Sequence, residues 1–368
     1  MENDSQTNEQ LAEKYYDEGY VALKNDNYAK AIEYFQKAIE LKPDYVLAYL
    51  WMGSTYRDWD GQYEKAIECF KKCIKLQPDF VFAYWGMGSV YKNWDGQYEK
   101  AIECYKEAIK LKPQASIFYG LMGSAYADWN GQYEKAIECF KKCIKLQPDF
   151  AYAYLWMGWA YKNWNGQYQK AIECYQKAIE LKPNYADAYL WMGHAYRHWN
   201  GQYEKAIECY GKVIELEPNS VYAYYWMGRA YENWNEQYEK AIEYYQKAIE
   251  YKPDDADAYF WMGHAYRYWN GQYQKAIEYY QKAIEYKPDY ADAYFWMGDA
   301  YEAWNGQYEK AIECFQKAIE LKPDYAAAYY WMGHAYEDLG DKEQAIASMK
   351  QAAQLGDEAA KRWIERTK

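Results

Sequence analysis

Residues 81–115 carry two apolar stripes separated by a polar interruption. Tyr84, Met87, Gly88 and Tyr91 recur at spacings of three and four, which places them on one face of a helix. Asn93-Trp94-Asp95-Gly96-Gln97 breaks that period with a turn signal. Ala101, Ile102, Tyr105, Ala108 and Ile109 then form the buried stripe of a second helix. Pro113 ends it, because proline lacks an N–H and clashes with the preceding turn. In most comparable segments the proline is followed by Asp or Asn, as at Asp79 and Asn184, and these residues are expected to cap the next helix. Gly88 among the aromatics implies a close approach of the two helices, with Ala101 and Ala108 as the facing small residues.

The same pattern returns along the chain. All nine prolines, from Pro43 to Pro323, stand 35 residues apart. Trp59 to Trp304 keep the same step, as do the helix glycines from Gly53 to Gly333. Residues 61–80 and 131–150 are identical. One helix pair cannot bury its apolar stripe alone, whereas stacked copies can, so the pattern predicts an all-α solenoid.

Composition agrees with one element used many times. Aromatic residues make up 21% of the 368 positions, with 49 Tyr and 18 Trp, which excludes a disordered chain. The 55 acidic and 43 basic residues give a net charge of -12, so duplex nucleic acid is not the expected partner. The two signs are interleaved, as in Glu64, Lys65, Glu68, Lys71 and Lys72, which is the pattern of a solvated helix face. Met1-Glu2-Asn3-Asp4-Ser5 lacks the apolar core of a signal peptide, and no run approaches the roughly 18 apolar residues of a membrane span. The eight cysteines lie inside helical patterns, so the expectation is reduced thiols, a cytoplasmic location and no membrane partner.

The frame Tyr84-x-x-Met87-Gly88-x-x-Tyr91, followed by Ala101-x-x-x-Tyr105, Ala108 and Pro113, resembles the tetratricopeptide repeat. It recurs in Tyr189, Met192, Gly193, Tyr196, Ala206, Tyr210 and Pro218. The resemblance covers residues 12–359 in ten units: 12–45, 46–80, 81–115, 116–150, 151–185, 186–220, 221–255, 256–290, 291–325 and 326–359. Residues 1–11 would be an N-terminal extension. Residues 357–368, with Ala359, Ala360, Trp363 and Ile364 at helical spacing, would form a capping helix. The family's period is about 34 residues, and the eight inner units carry one extra residue in the intra-repeat turn. The fold implied is a right-handed α-α superhelical solenoid of helix-turn-helix units.

The resemblance also implies that the first helix of each unit lines a concave groove for a peptide or partner protein. Its sixth position holds Trp51, Trp156, Trp191, Trp226, Trp261, Trp296 and Trp331. Gly86 and Leu121 interrupt that run, and Trp85 stands one place before Gly86. Leu50 and Trp85 occupy the fifth position. The ninth supplies Trp159, His194, Arg229, His264, Asp299 and His334, and the twelfth Lys162, Arg197 and Arg267. Two readings stand open for the tryptophans: a ribbon that grips partner side chains, since Trp, Tyr and Arg dominate binding hot spots, or packing between neighbouring repeats. Basic groove positions run through Arg197, and acidic ones gather later at Asp292, Asp299, Glu302, Glu337 and Asp338. That is either an orienting field or ordinary variation between repeats.

Other candidate chemistry is weaker. His194, His264 and His334 are whole repeats apart, too far to share a metal ion. Cys69/Cys73 and Cys139/Cys143 are i,i+4 pairs that could hold a soft metal, but Cys73 and Cys143 stand where Ala108 does, in the small core position. The turn tryptophans either pack over the inter-helix turn or form a ridge for self-association. If the glycine that Glu236 replaces is left-handed, the substitution costs about 1–2 kcal/mol. No phosphate loop, nucleophile elbow or HExxH motif is present, so no enzyme and no cofactor is expected. The sequence therefore points to a scaffold or adaptor that binds protein. The alternative is a structural protein whose repeats stack end to end into filaments.

Overall fold

The computed structural model describes residues 2–59, 61–129 and 131–367, with side chains from Thr7 to Arg366. Every regular element among the described residues is a helix. In chain order they are α1 (Glu2–Lys24), α2 (Tyr28–Leu41), α3 (Val46–Asp58), α4 (Tyr63–Leu76), α5 (Val81–Asn93), α6 (Tyr98–Leu111) and α7 (Ser116–Asp128). Then come α8 (Tyr133–Leu146), α9 (Ala151–Asn163), α10 (Tyr168–Leu181), α11 (Ala186–His198), α12 (Tyr203–Leu216), α13 (Val221–Asn233) and α14 (Tyr238–Tyr251). The last are α15 (Ala256–Tyr268), α16 (Tyr273–Tyr286), α17 (Ala291–Ala303), α18 (Tyr308–Leu321), α19 (Ala326–Asp338), α20 (Lys342–Gln354) and α21 (Glu358–Thr367). They form an all-α helical repeat solenoid. Residues 1–188 and 189–368 form two compact units. Residues 2–11 continue α1 without a break.

One contact recurs in both units. In the first, Phe35, Phe70, Tyr105, Phe140 and Tyr175 are fully buried, each against a glycine of the preceding helix: Gly19, Gly53, Gly88, Gly123 and Gly158. A methyl group built on Gly88 would stand 2.7 Å from the Tyr105 ring. In the second unit Tyr210, Tyr245, Tyr280, Phe315 and Met349 meet Gly193, Gly228, Gly263, Gly298 and Gly333 in the same way. Alanines fill the remaining gaps, among them Ala101, Ala108, Ala206 and Ala248, all without exposure.

In the inner repeats whose turns are fully described, the intra-repeat turn is made by two successive left-handed residues. Asp95 and Gly96 have φ of 46° and 65°, and Asn165 and Gly166 have φ of 54° and 64°. Glu236 adopts the same conformation with φ of 55°, without glycine's freedom. The turn tryptophans are half-buried and packed: Trp94 lies 6.1 Å from Tyr63, and Trp234 lies 6.2 Å from Tyr231.

The expected cap at Asp79 is a correction. The N-cap of α5 is Phe80, one residue later, and no side chain accepts there. Capping of a repeat's first helix occurs where a carboxylate stands at the later position, as Asp255 accepts from the Ala258 N–H at 3.1 Å. At the C-terminus α21 packs through Ala360, Trp363 and Ile364 on Met349 and Ala352 of α20. The Trp363 Nε1–H donates to Glu337 at 3.1 Å.

These contacts generate paired expectations. Gly193→Ala drives a methyl to 2.6 Å from the Tyr210 ring and is expected to destabilise by about 1–3 kcal/mol through overpacking. Gly211, inside α12, has nothing within 4 Å of an added Cβ, so Gly211→Ala is expected to stabilise by about 0.5–1 kcal/mol. Glu236→Gly is expected to stabilise by about 1–2 kcal/mol. Thermal and urea unfolding of the three variants beside the wild type reads all three signs.

Candidate functional site

The first-helix positions face differently in the two units. In residues 1–188 they leave an opening. Leu47, Leu50, Trp51, Ser54 and Arg57 of α3 and Phe80, Phe82, Trp85 and Gly86 at and beyond the start of α5 line a cavity of about 350 Å³. It exists because Gly86 stands where other repeats place tryptophan. Phe70 occupies the space beneath, 2.6 Å from where a Gly86 Cβ would sit, so the backbone lies close and no side chain fills the mouth. Leu47, Phe82 and Trp85 are 41%, 48% and 38% exposed and stand together around one opening, as a contiguous apolar patch. Phe80 and Phe82 meet edge to face at 5.8 Å. Arg57 is held at the rim by Asp58, through Nε at 2.7 Å. Trp51 leans on Tyr20 at 5.0 Å.

On α9, Trp156 and Trp159 meet edge to face at 5.9 Å, and Trp159 reaches Tyr133 at 6.0 Å. Lys162 follows them half-buried on the same helix.

In residues 189–368 the same positions are engaged with each other. His194 lies between Trp191 at 5.3 Å and Trp226 at 4.7 Å, and its Nδ1 is 3.0 Å from the Tyr210 hydroxyl. The guanidinium of Arg197 lies over Trp226 at 4.6 Å, and that of Arg229 over Trp261 at 3.1 Å. His264 stands between Trp261 at 5.1 Å and Trp296 at 5.2 Å. Arg267 donates from Nε to Asp299 at 2.6 Å. At the far end His334 lies 5.9 Å from Trp331 and 3.5 Å from the Glu337 carboxylate.

Glu232 is the hub of this ladder. It is 8% exposed, accepts the Tyr245 hydroxyl at 2.8 Å, pairs with His264 Nδ1 and lies 3.8 Å from Arg229 Nε. The candidates of this unit are thus brought together across successive repeats, as partners of one another. The gathering of acidic groups is also partly internal, because Asp299 belongs to Arg267. Repeat position alone does not single out Leu47, Phe80 and Phe82. Leu47 and Phe82 are bulky apolar residues at a position that carries Asp187, Asp257 and Asp292 in later repeats, and Phe80 stands where those repeats have Tyr185, Asp255 and Tyr290.

The cysteines offer no reactive group here. All eight are free and buried. Burial pushes the Cys69, Cys73 and Cys139 thiols up to about 12, and Cys143 up to about 11. The thiolate that reacts or binds metal is therefore scarce at neutral pH. Cys73 and Cys143 sit in the small core position with no exposure.

The repeat pattern has counterparts among known proteins. A family described as TPR repeat matches residues 60–93, 95–128, 130–163, 165–197, 199–233, 235–267, 267–303 and 305–340. Models described as tetratricopeptide repeat match residues 12–45 and 326–355. The chain belongs to the tetratricopeptide repeat family. The members of this family serve in general as protein-interaction scaffolds, and this tetratricopeptide repeat chain is one by fold. No curated protein matches its sequence.

Among solved structures, a tetratricopeptide repeat protein from Parabacteroides merdae ATCC 43184 is similar at 17% identity, covering 70% of this chain and 99% of that one, with a TM-score of 0.55. MamA is similar at 33% identity, over 49% of this chain and 96% of its own, with a TM-score of 0.42. YrrB, described as a TPR protein with an unusual peptide-binding site, is 23% identical over 51% of this chain and 95% of its own, with a TM-score of 0.40. The Parabacteroides likeness bears on the fold alone.

One carboxyl on α17 of this tetratricopeptide repeat chain gives a pH-dependent stability. Desolvation, reinforced by Asp299 and Asp338, pushes the Glu302 carboxyl from 4.5 up to about 7, and Arg267 opposes this only in part. Between those values the folded protein keeps a proton that the unfolded chain has released, so stability falls as pH rises through this window. Glu302→Gln removes that loss. The expected result is similar melting temperatures for wild type and variant at pH 5 and a higher one for the variant at pH 8; equal shifts at both pH values would contradict it.

Proposed function

We propose that this protein is an adaptor that holds a partner through an extended peptide, anchored by one large apolar side chain in the cavity between α3 and α5. The observation that carries this is the cavity itself: about 350 Å³, walled mainly by Leu47, Leu50, Trp51, Phe82 and Trp85, and open to solvent. Fully burying a Leu or Phe side chain contributes about 1.5–3 kcal/mol. Anchors of this kind, seated in preformed pockets, dominate interface energetics. Arg57 at the rim adds a donor beside the apolar floor.

The rest of the reading follows from the same surface. The net charge of -12 disfavours nucleic acid as partner. No described helix is long and apolar enough to cross a membrane. Eight unpaired thiols suit a reducing, cytoplasmic setting.

The test is selection of a random peptide library on the full chain, followed by titration of the selected peptides against wild type and Leu50→Glu. The expected outcome is a shared Leu, Phe or Trp anchor and at least about tenfold weaker binding to the variant, which places a charge in the apolar wall. Peptides without an apolar anchor, or equal affinity for both proteins, would overturn the reading. Light scattering on the same samples addresses self-assembly: a concentration-independent monomer excludes the filament alternative.

A further inference from the structure

A second opening lies away from the groove, in the seam between the two helices of a single repeat. Its form is explained by repeats in which it is already filled. On α14, Tyr244 inserts its ring between two tyrosines of α13, 6.5 Å from Tyr224 at 27° and 5.4 Å from Tyr231 at 8°. On α16, Tyr279 does the same, 6.4 Å from Tyr259 at 22° and 5.3 Å from Tyr266 at 5°. A lysine closes each stack. Lys247 lies over the Tyr224 and Tyr244 rings at 6.0 and 5.2 Å, and Lys282 over Tyr259 and Tyr279 at 5.6 and 5.4 Å. The methionine beneath the ring is sealed, with Met227 at 4% and Met262 at 2% exposure.

The corresponding position holds cysteine in six repeats, Cys69, Cys104, Cys139, Cys174, Cys209 and Cys314, and at Cys139 on α8 the space beside it is an open cavity. Everything else is in place. Tyr119 and Tyr126 of α7 supply the two walls, Met122 the floor, and Lys142 lies over Tyr119 at 5.6 Å, as Lys247 lies over Tyr224. Lys135 covers Tyr126 at 5.7 Å. The seam here holds a cavity of about 510 Å³ above a half-buried Met122, whereas Met157, Met192 and Met297 in other cysteine repeats are buried. A thiol fills far less of such a space than a phenol.

We propose that this seam is a receptor for the tyrosine side chain of a partner protein, whose phenol ring takes the place that Tyr244 and Tyr279 take in their own repeats. The chain supplies the template for its own ligand. Two stacked ring faces and an ammonium group over the inserted ring are the features that favour an aromatic side chain over an aliphatic one. The seam is formed by α7 and α8 alone, so it is independent of the apolar cavity between α3 and α5.

The test uses the full chain with ¹³C-methyl methionine and N-acetyl-L-tyrosinamide as probe. The Met122 methyl signal is assigned with Met122→Leu. The expected result is a saturable upfield shift of that methyl as the ring seats above it, and a much smaller response to N-acetyl-L-leucinamide. Cys139→Tyr, which fills the seam from within, is expected to abolish the shift. Tyr126→Leu, which removes one wall, is expected to weaken binding about three- to tenfold, and it decides the matter should Cys139→Tyr not fold. Leu50→Glu is expected to leave the shift unchanged, which separates this site from the groove. No saturable shift, an equal shift in Cys139→Tyr or Tyr126→Leu, or equal binding of the leucine analogue overturns the proposal.

Discussion

Glycine in one helix lying flat against a ring in the next is the contact on which the rest of the molecule is built. It brings two backbones close enough for alanines to complete the packing, and it fixes where each helix crosses its neighbour. Gly88 on Tyr105 and Gly228 on Tyr245 are the same device 140 residues apart in the sequence. Because the ring beneath is fully buried, neither partner can change size alone. The rest of each helix is correspondingly free to vary, since its crossing geometry is already set. That freedom is where the repeats differ, and where binding surfaces arise.

Much of this is legible in the amino-acid sequence. The 35-residue lattice of Pro, Gly and Trp predicts helix pairs, and the glycine predicts the close approach, because both are local rules repeated many times. The cap expected at Asp79 fails because backbone geometry shifts the N-cap by one residue to Phe80. The groove is less legible for a different reason. Whether Trp226 or Trp261 is offered to a partner depends on what the neighbouring repeat places over it, and here Arg197 and Arg229 lie on those rings. A spacing rule sees one repeat at a time, so it does not see what the neighbouring repeat lays over a given ring. The acidic positions pose the same problem: Asp299 stands in the run of acidic groove positions, yet it is paired with Arg267 of the neighbouring repeat.

The two units therefore illustrate two uses of one face. In residues 189–368, cation–ring and ion-pair contacts tie each repeat to the next, and these gain strength from partial desolvation. In residues 1–188, glycine at position 86 opens a cavity beside Leu47, Phe82 and Trp85, which stay 41%, 48% and 38% exposed. A groove filled from within stabilises the repeat stack. A face left open keeps its apolar side chains exposed instead.

The same opposition holds in the seam between paired helices, where tyrosine or cysteine stands at one position. Tyr244 and Tyr279 complete a stack of rings, whereas Cys139 leaves the stack open. An unfilled site of this size would be costly in a single compact core, because surrounding side chains lose contacts that they cannot recover. In a repeat protein that loss stays local, since stability is close to a sum over repeats and the interfaces between neighbours. The fully buried Phe140 contact with Gly123 continues to hold α7 and α8 together beneath the open seam. An array of nearly identical units can thus close some copies with a ring, as Tyr244 and Tyr279 do, and leave others without one, and the opening at Cys139 takes its shape from the side chain that fills the same place elsewhere.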